Sequence, residues 1–390
     1  MKRLASLVCA FVLAGCAQPG TLRGTGDLGV VVERTSGSIL LIETSHRSVL
    51  GRVEGLGDLS HASVVYSRDG RYAYVFGRDG GLSKVDLLTA SVVKRIVQSG
   101  NAIGGAISQD GRLIVAANYT PGGIRIFDAD TLEPRSEVAT IFGDGTQRAK
   151  VVGIADAPGN RFVFSLFEAG EIWVVDASDP HVPRVTKLFG IGKQPYDGFI
   201  TPNGRYYIAG LYGEDGLALV DLWNLERGAR KILAGYGRGE APLPVYKMPH
   251  LRGWAVAGRL AFLPAIGRHE VLVVDTETWR EAGRVKVHGQ PVFAVAQPGG
   301  RQVWVNFAFP KNGVVQVIDV PSLSVVKELQ PGRAVLHLEF APRGEQVWIS
   351  SRDDNAVVVY DTARYAELVR IPAERPSGIF FTARALMTGF

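Results

Sequence analysis

One phrase recurs along the 390-residue chain, and it leaves few folds open. A short apolar strand leads into a Gly-containing turn followed by Arg or Glu. A second apolar strand, another turn and a strand ending in an acid complete it. His61-Ala62-Ser63-Val64-Val65-Tyr66, the turn Asp69-Gly70-Arg71, Tyr72 to Gly77 and Gly81 to Asp86 make one copy. The turn returns as Asp110-Gly111-Arg112, Gly159-Asn160-Arg161, Asn203-Gly204-Arg205, Gly258-Arg259, Gly299-Gly300-Arg301 and Arg343-Gly344-Glu345. The acids are Glu43, Asp86, Asp128, Asp176, Asp221, Asp275, Asp319 and Asp361, about 45 residues apart, which is the period of four-stranded propeller blades. Asp-Gly and Asn-Gly reach the positive φ of a tight hairpin. The strands are rich in Val, Ile, Tyr and Phe at period two, as a half-buried sheet requires. A lone blade exposes both faces, so neighbours must stack and the ring must close. The repeat predicts an all-β, eight-bladed propeller of four-stranded antiparallel blades. Seven blades remain the alternative if the longest spacing, Asp221 to Asp275, hides an insertion.

Closure is legible too. Pro376 to Phe381 reads as a first strand with no second strand after it. Leu28 to Glu33, Ser38 to Glu43 and Val49 to Glu54 read as second, third and fourth strands lacking a first. Joining them makes the eighth blade from both chain ends and removes two open edges. Composition agrees: 46% hydrophobic residues supply a core, 47 glycines supply turns, and 21% charged residues argue against wholesale disorder. No helical segment competes, and residues 229–249, with their Gly and Pro, are the candidate long functional loop. The formal charge is +5, with no basic run longer than pairs such as Lys2-Arg3 and Arg230-Lys231, so a nucleic-acid stripe is not supported.

The first fifteen residues read as an address. Lys2-Arg3, the apolar stretch Leu4 to Leu13 and the small exit Ala14-Gly15 form a secretory signal too short to span a bilayer. Leu13-Ala14-Gly15-Cys16 also matches the bacterial lipobox, after which the new terminal Cys16 carries acyl chains and anchors the protein. An ordinary cleaved signal that happens to contain a Cys is the alternative. The expected organisation is a signal over residues 1–15, an anchor linker over 16–27 and the propeller over 28–390. The expected location is the periplasm, anchored to a membrane. Ala17 after the Cys favours the outer one. Only Cys9 and Cys16 are present, so the mature chain has no intrachain disulfide.

In a propeller the connections entering the innermost strands share a face with those after the second strands. His61, Tyr196, Asp197, His250 and His337 are at the first set. Arg34, Arg78-Asp79, Asn118-Tyr119, Arg268-His269, Lys311 and Arg352 are in the second. Histidines ringed by cations suit a planar anionic ligand or an exchangeable metal. The bland alternative for His337 is a hydrogen-bonded loop residue, and the terminal acids such as Asp128 and Asp221 read as turn formers. There is no Cys-x-x-Cys-His, no Gly-x-Ser-x-Gly elbow and no phosphate loop.

Several of these segments resemble a known family. His61 to Arg71, Val75 to Asp79, Val85 to Leu87, Ala117 to Pro121 with Thr131 to Pro134, Gln194 to Gly198 and Met248-Pro249-His250 resemble the haem d1-binding propeller of cytochrome cd1 nitrite reductase. The resemblance spans about residues 28–385. With a lipoprotein signal and no cytochrome c domain, the chain is most similar to the haem d1 biosynthesis branch of denitrifying bacteria. The resemblance implies periplasmic handling of haem d1 or a dihydro-haem d1-like precursor. His61 falls at the proximal iron ligand and His250 at a histidine above the distal face. Tyr196 stands where the reductase has its other distal histidine, which weakens a nitrite-reducing role. Val64 replaces an arginine that holds a haem carboxylate, so Arg78, Arg252 and Arg268 become the candidates for that task, with Asn118 and Tyr119 beside them. The implied partners are the nitrite reductase and another d1-propeller maturation protein. Three readings compete: an enzyme acting on the macrocycle periphery, by oxidation or side-chain adjustment, with His250, Tyr196 and Asp197 handling protons; a non-catalytic tetrapyrrole carrier; and an anchored protein-binding scaffold.

Overall fold

The computed structural model describes residues 24–235, 254–265 and 268–389. Within them the chain forms eight four-stranded antiparallel sheets and one small hairpin, Ile141–Phe142 with Gln147–Arg148. In chain order blades 1 to 7 begin with the inner strands Ser63–Tyr66, Asn101–Ile107, Val151–Ala157, Pro195–Ile200, Ala255–Ala257, Pro291–Ala296 and Val335–Phe340. Blade 8 pairs the carboxy-terminal Pro376–Phe381 with Leu28–Glu33, followed by Ser38–Glu43 and Ser48–Val53. The eightfold reading and the closure by both chain ends therefore hold. The buried Glu33 carboxylate ties the ends further, accepting from Ser38 at 2.7 Å, Arg52 at 3.0 Å and the Glu374 amide at 2.8 Å.

Eight apolar clusters lie between successive blades, one per interface, including the interfaces of blade 8 with blades 7 and 1. This changes the pattern expected inside each strand. Leu28–Glu33 and Ser38–Glu43 are buried at every residue, whereas outer strands such as Ser91–Val97 are mostly exposed. A half-buried alternation describes a sheet with one wet face; in a stacked ring both faces of the middle strands are covered.

The two turn motifs meet in space. Arg71 after the first turn reaches Asp86 at the end of the third strand, at 2.8 Å, and Arg205 reaches Asp221 at the same distance. Those acids also cap their own turns, Asp128 accepting from the amides of Asp130 and Thr131 at 2.9 Å. With Arg135 at 2.7 Å as well, the Asp128 carboxyl lies at about 2 despite partial burial that opposes the shift. The acids are turn formers, as read. Ala229–Ile232 proves to be the outer strand of blade 4, and residues 236–249 of the expected long loop lie outside the described residues.

The strand Pro376–Phe381 runs on into a short 3-10 turn, Thr382–Leu386, at the channel end away from the entering loops. Arg384 pairs with Glu339, Arg68 donates to the Ala385 carbonyl at 2.8 Å, and the Gly389 amide donates to Asp156 at 2.9 Å. These bonds reach from blade 1 to blade 7 and blade 3, so the tail floors the channel.

Candidate functional site

The inner strands position the site through a recurring irregularity. In blades 3, 4, 6, 7 and 8 the ladder between first and second strand slips by one residue near the mouth. The slip releases a pair of residues: Gly153-Ile154, Tyr196-Asp197, Val292-Phe293, Leu336-His337 and Ser377-Gly378. A β-bulge re-aims side chains without ending the strand. Here nine of these ten residues, all but Tyr196, line one cavity of about 610 Å³, within the range that holds small-molecule ligands. Its walls are largely apolar, with Phe293, Phe307, Phe309 and Phe380 among them.

His61, on the connection into blade 1, and His337, in blade 7, face this cavity with Asp197, Arg34 and Arg352. His337 is 9% exposed, stacks on Phe380 at 5.6 Å and meets the edge of Phe293 at 5.4 Å. Its Nδ1 accepts the Ile379 amide at 3.2 Å. A nitrogen that accepts carries no proton, so Nε2–H is the donor of this ring. His337 is thus built to donate a hydrogen bond, which separates its chemistry from that of an iron ligand. Asp197 is 7% exposed and carries the carboxylate of the cavity wall.

One rim of the mouth is cationic. Arg34 is half-buried and donates to the Ser60 carbonyl. Burial, then the fields of Arg352, Arg375 and Arg78, hold its guanidinium below the ordinary value, with Asp58 opposing. Arg352 and Arg375 both lean on Asp353, at 2.8 and 3.1 Å. Such a cluster favours an incoming carboxylate, which arginine can grip with two parallel bonds.

The opposite rim is aromatic. Tyr119 and Tyr196 share a hydroxyl contact at 3.2 Å, and Phe167 and Tyr212 pack against Tyr196 at 5.8 and 6.1 Å. Burial and the neighbouring Asp197 push the Tyr196 phenol up to about 12, and burial raises Tyr119 as well. Both stay protonated at neutral pH. Lys150 lies 5.2 Å from the Phe167 ring and is paired with Glu168 at 2.8 Å.

The other sequence candidates fall as follows. Asn118 is buried and exchanges amide bonds with Gln98 at 2.8 and 3.2 Å. Arg78 is exposed on the cationic rim, its amide bonded to the Asp58 carbonyl at 2.8 Å. Arg268 is exposed and reaches the Gly235 carbonyl at 3.3 Å. His250, Arg252 and Cys16 lie outside the described residues. Arg34 and Arg352 stood in the predicted loop set but not among the carboxylate candidates; the cavity gives them that place. The bulge residues Ile154, Phe293 and Gly378 were missed. For Phe293 and Gly378 the signal is the proline opening the inner strand, at Pro291 and Pro376, three residues before the ladder resumes; the strand of Ile154 opens without one.

Comparison with known proteins adds three findings. Residues 23–385 match the cytochrome D1 heme domain family. The chain is 57% identical to Protein NirF of Stutzerimonas stutzeri over 98% of both chains, and 55% identical to Protein NirF of Pseudomonas aeruginosa over 100% of this chain and 99% of that one. Among solved structures, the dihydro-heme d1 dehydrogenase NirN in complex with DHE superimposes with a TM-score of 0.80 at 25% identity, covering 95% of this chain and 78% of that one.

Proposed function

The chain belongs to the family of the cytochrome D1 heme domain and Protein NirF, and from that premise we propose that it serves haem d1 biosynthesis in denitrification by binding a late, dihydro-haem d1-like precursor in the channel mouth and altering its periphery. The observation that carries the reading is one apolar cavity holding two imidazoles, His61 and His337, beside the guanidinium groups of Arg34 and Arg352. A tetrapyrrole buries a broad flat surface and its carboxylates need partners, so walls of this kind fit it.

His61 is the residue we assign to the substrate iron, from its place on the connection into blade 1 facing the cavity and from the family resemblance. His337 donates from Nε2. Asp197 accepts a proton from the macrocycle edge, while Tyr196, kept protonated, donates through the phenol pair it forms with Tyr119. His250 and Arg252 extend this set by the resemblance alone. The cytochrome cd1 nitrite reductase and a second d1-propeller maturation protein are the proposed partners. Cys16 is the proposed lipid anchor, with the propeller in the periplasm, at the outer membrane.

A carrier that passes the precursor on unaltered is the second reading, favoured by the walls being mostly apolar. The two part in one experiment: purified protein is mixed anaerobically with the late precursor and followed by absorbance and mass spectrometry. A mass change marks an enzyme, and a spectral shift at constant mass marks a carrier. Neither change would reject tetrapyrrole binding. His61→Ala abolishes the iron-ligand spectrum under both readings, and an unchanged spectrum overturns that assignment.

A further inference from the structure

The described chain starts at Gly24, on the face opposite the mouth. Thr25 Oγ1 donates to the Asp69 carbonyl in the first turn of blade 1 at 2.9 Å, and Asp27 accepts from Thr44 and Ser45 in the last turn of blade 8. The floor segment Thr382–Leu386 packs beside it, Thr382 bonding both the Thr25 and Leu28 carbonyls.

Seven residues lie between Cys16 and Gly24, and the eight Cα-to-Cα steps fully extended reach roughly 27 Å. Gly24 leads into the second strand of blade 8, so bringing the mouth to the anchoring surface would take that tether outward past the third and fourth strands, roughly 10 Å, and then up six-residue strands, roughly 20 Å. The tether is too short for both. The face around Gly24 is the one it can hold against a bilayer.

That face also carries the apolar side chains such a contact needs. Leu386 is 83% exposed, Trp223 63%, Leu88 52% and Met387 45%. Trp223 is in the turn after the third strand of blade 4, with the Arg205 guanidinium 5.3 Å from its ring. An indole beside a guanidinium suits the headgroup layer, where one end of the ring is apolar and the other wet. The remaining five tryptophans, Trp173, Trp254, Trp279, Trp304 and Trp348, are all 7% exposed or less.

We propose that the floor face rests on the lipid bilayer, with Trp223 and Leu386 entering the headgroup layer, so that the mouth opens away from the membrane. The proposal rests on the lipid-anchor reading of Cys16. Its consequence is that precursor enters and leaves from the aqueous side, where a soluble partner can meet the mouth.

The test uses the full-length lipidated protein on phosphatidylethanolamine–phosphatidylglycerol vesicles whose acyl chains are brominated. Flotation, with mass spectrometry of the Cys16 peptide, scores the anchor; tryptophan emission scores the orientation. On floated protein, brominated lipid quenches a component of the emission that is missing from Trp223→Phe. A bimane probe on Leu386→Cys is quenched, and the same probe on Phe189→Cys, on the mouth side, is not. The labelling is unambiguous because Cys16 is acylated and the mature chain has no other thiol. Floated protein with quenching at Phe189→Cys and none at Trp223 overturns the orientation. Floated protein quenched at neither overturns the contact. A protein that does not float overturns the anchor and the orientation with it.

Discussion

On the side of the mouth where blades 7, 8 and 1 meet, Arg34, Arg78, Arg352 and Arg375 sit in one another's field. On the side of blades 2, 3 and 4 the rim carries Tyr119, Phe167, Tyr196 and Tyr212. Lys150, a cation near those rings, is held by Glu168. Bulged inner strands support both sides, in blades 7 and 8 on one and blades 3 and 4 on the other, so the backbone device is shared and the chemistry is not. A planar guest with charged substituents on one edge meets this mouth in one orientation, because turning it leaves carboxylates facing phenyl rings and guanidinium groups unmatched.

The contrast can be broken from the cationic side with the largest effect. Replacing Arg34 and Arg352 together by Met weakens precursor binding by about 3 kcal/mol, on the order of a hundredfold in Kd. An absorbance titration measures it, and a change below tenfold sinks the carboxylate role. Unfolding in urea shifts far less, because neither guanidinium belongs to the apolar clusters between the blades.

The aromatic side is more sensitive in its backbone. Gly153 has φ +60°, and a Cβ there would sit 2.6 Å from the Gly198 nitrogen and 2.9 Å from the Tyr196 carbonyl. Gly153→Ala therefore costs about 2 kcal/mol of stability, read from denaturant midpoints. Ser377, at the same bulge position in blade 8, tolerates Ala. Equal losses at both positions would erase the distinction.

A smaller effect separates the phenols. Tyr196→Phe removes the bond to Tyr119 and costs about 1 kcal/mol of stability, with Kd for the precursor moving less than tenfold. Unfolding curves and the same titration check both numbers.

The last effect is confined to alkali. The Tyr196 pKa is raised from 10.0 to about 12, so the native state holds this proton more tightly than the unfolded chain does. Its contribution is complete below pH 10 and is lost as pH rises from 10 toward 12. Tyr196→Phe flattens that part of the stability profile.

Periodicity carried far in this chain because a blade is a local unit. The Gly-Arg turn and the strand-ending acid lie about 15 residues apart, and their pairing, as in Arg71 with Asp86, is made within one blade. The mouth was legible in part. His61, Asp197 and His337 follow from where inner strands begin, and they do line the cavity. Asn118 shows the limit: its position in the repeat is right for the mouth, yet Gln98 from the preceding blade takes its amide. A partner on another blade leaves no mark at short range.

What the sequence determined alone was the strand order of a blade, the closure by both termini and a count of eight with seven as the alternative, since each follows from hairpin turns and apolar runs that repeat locally. Only the tertiary structure decided which way the mouth is charged. Arg34 and Arg375 come from opposite ends of the chain, and Arg352 and Arg78 from the blades that flank the join. Their proximity exists only once the ring is closed, when long-range packing between blade faces sets distances that no local rule encodes.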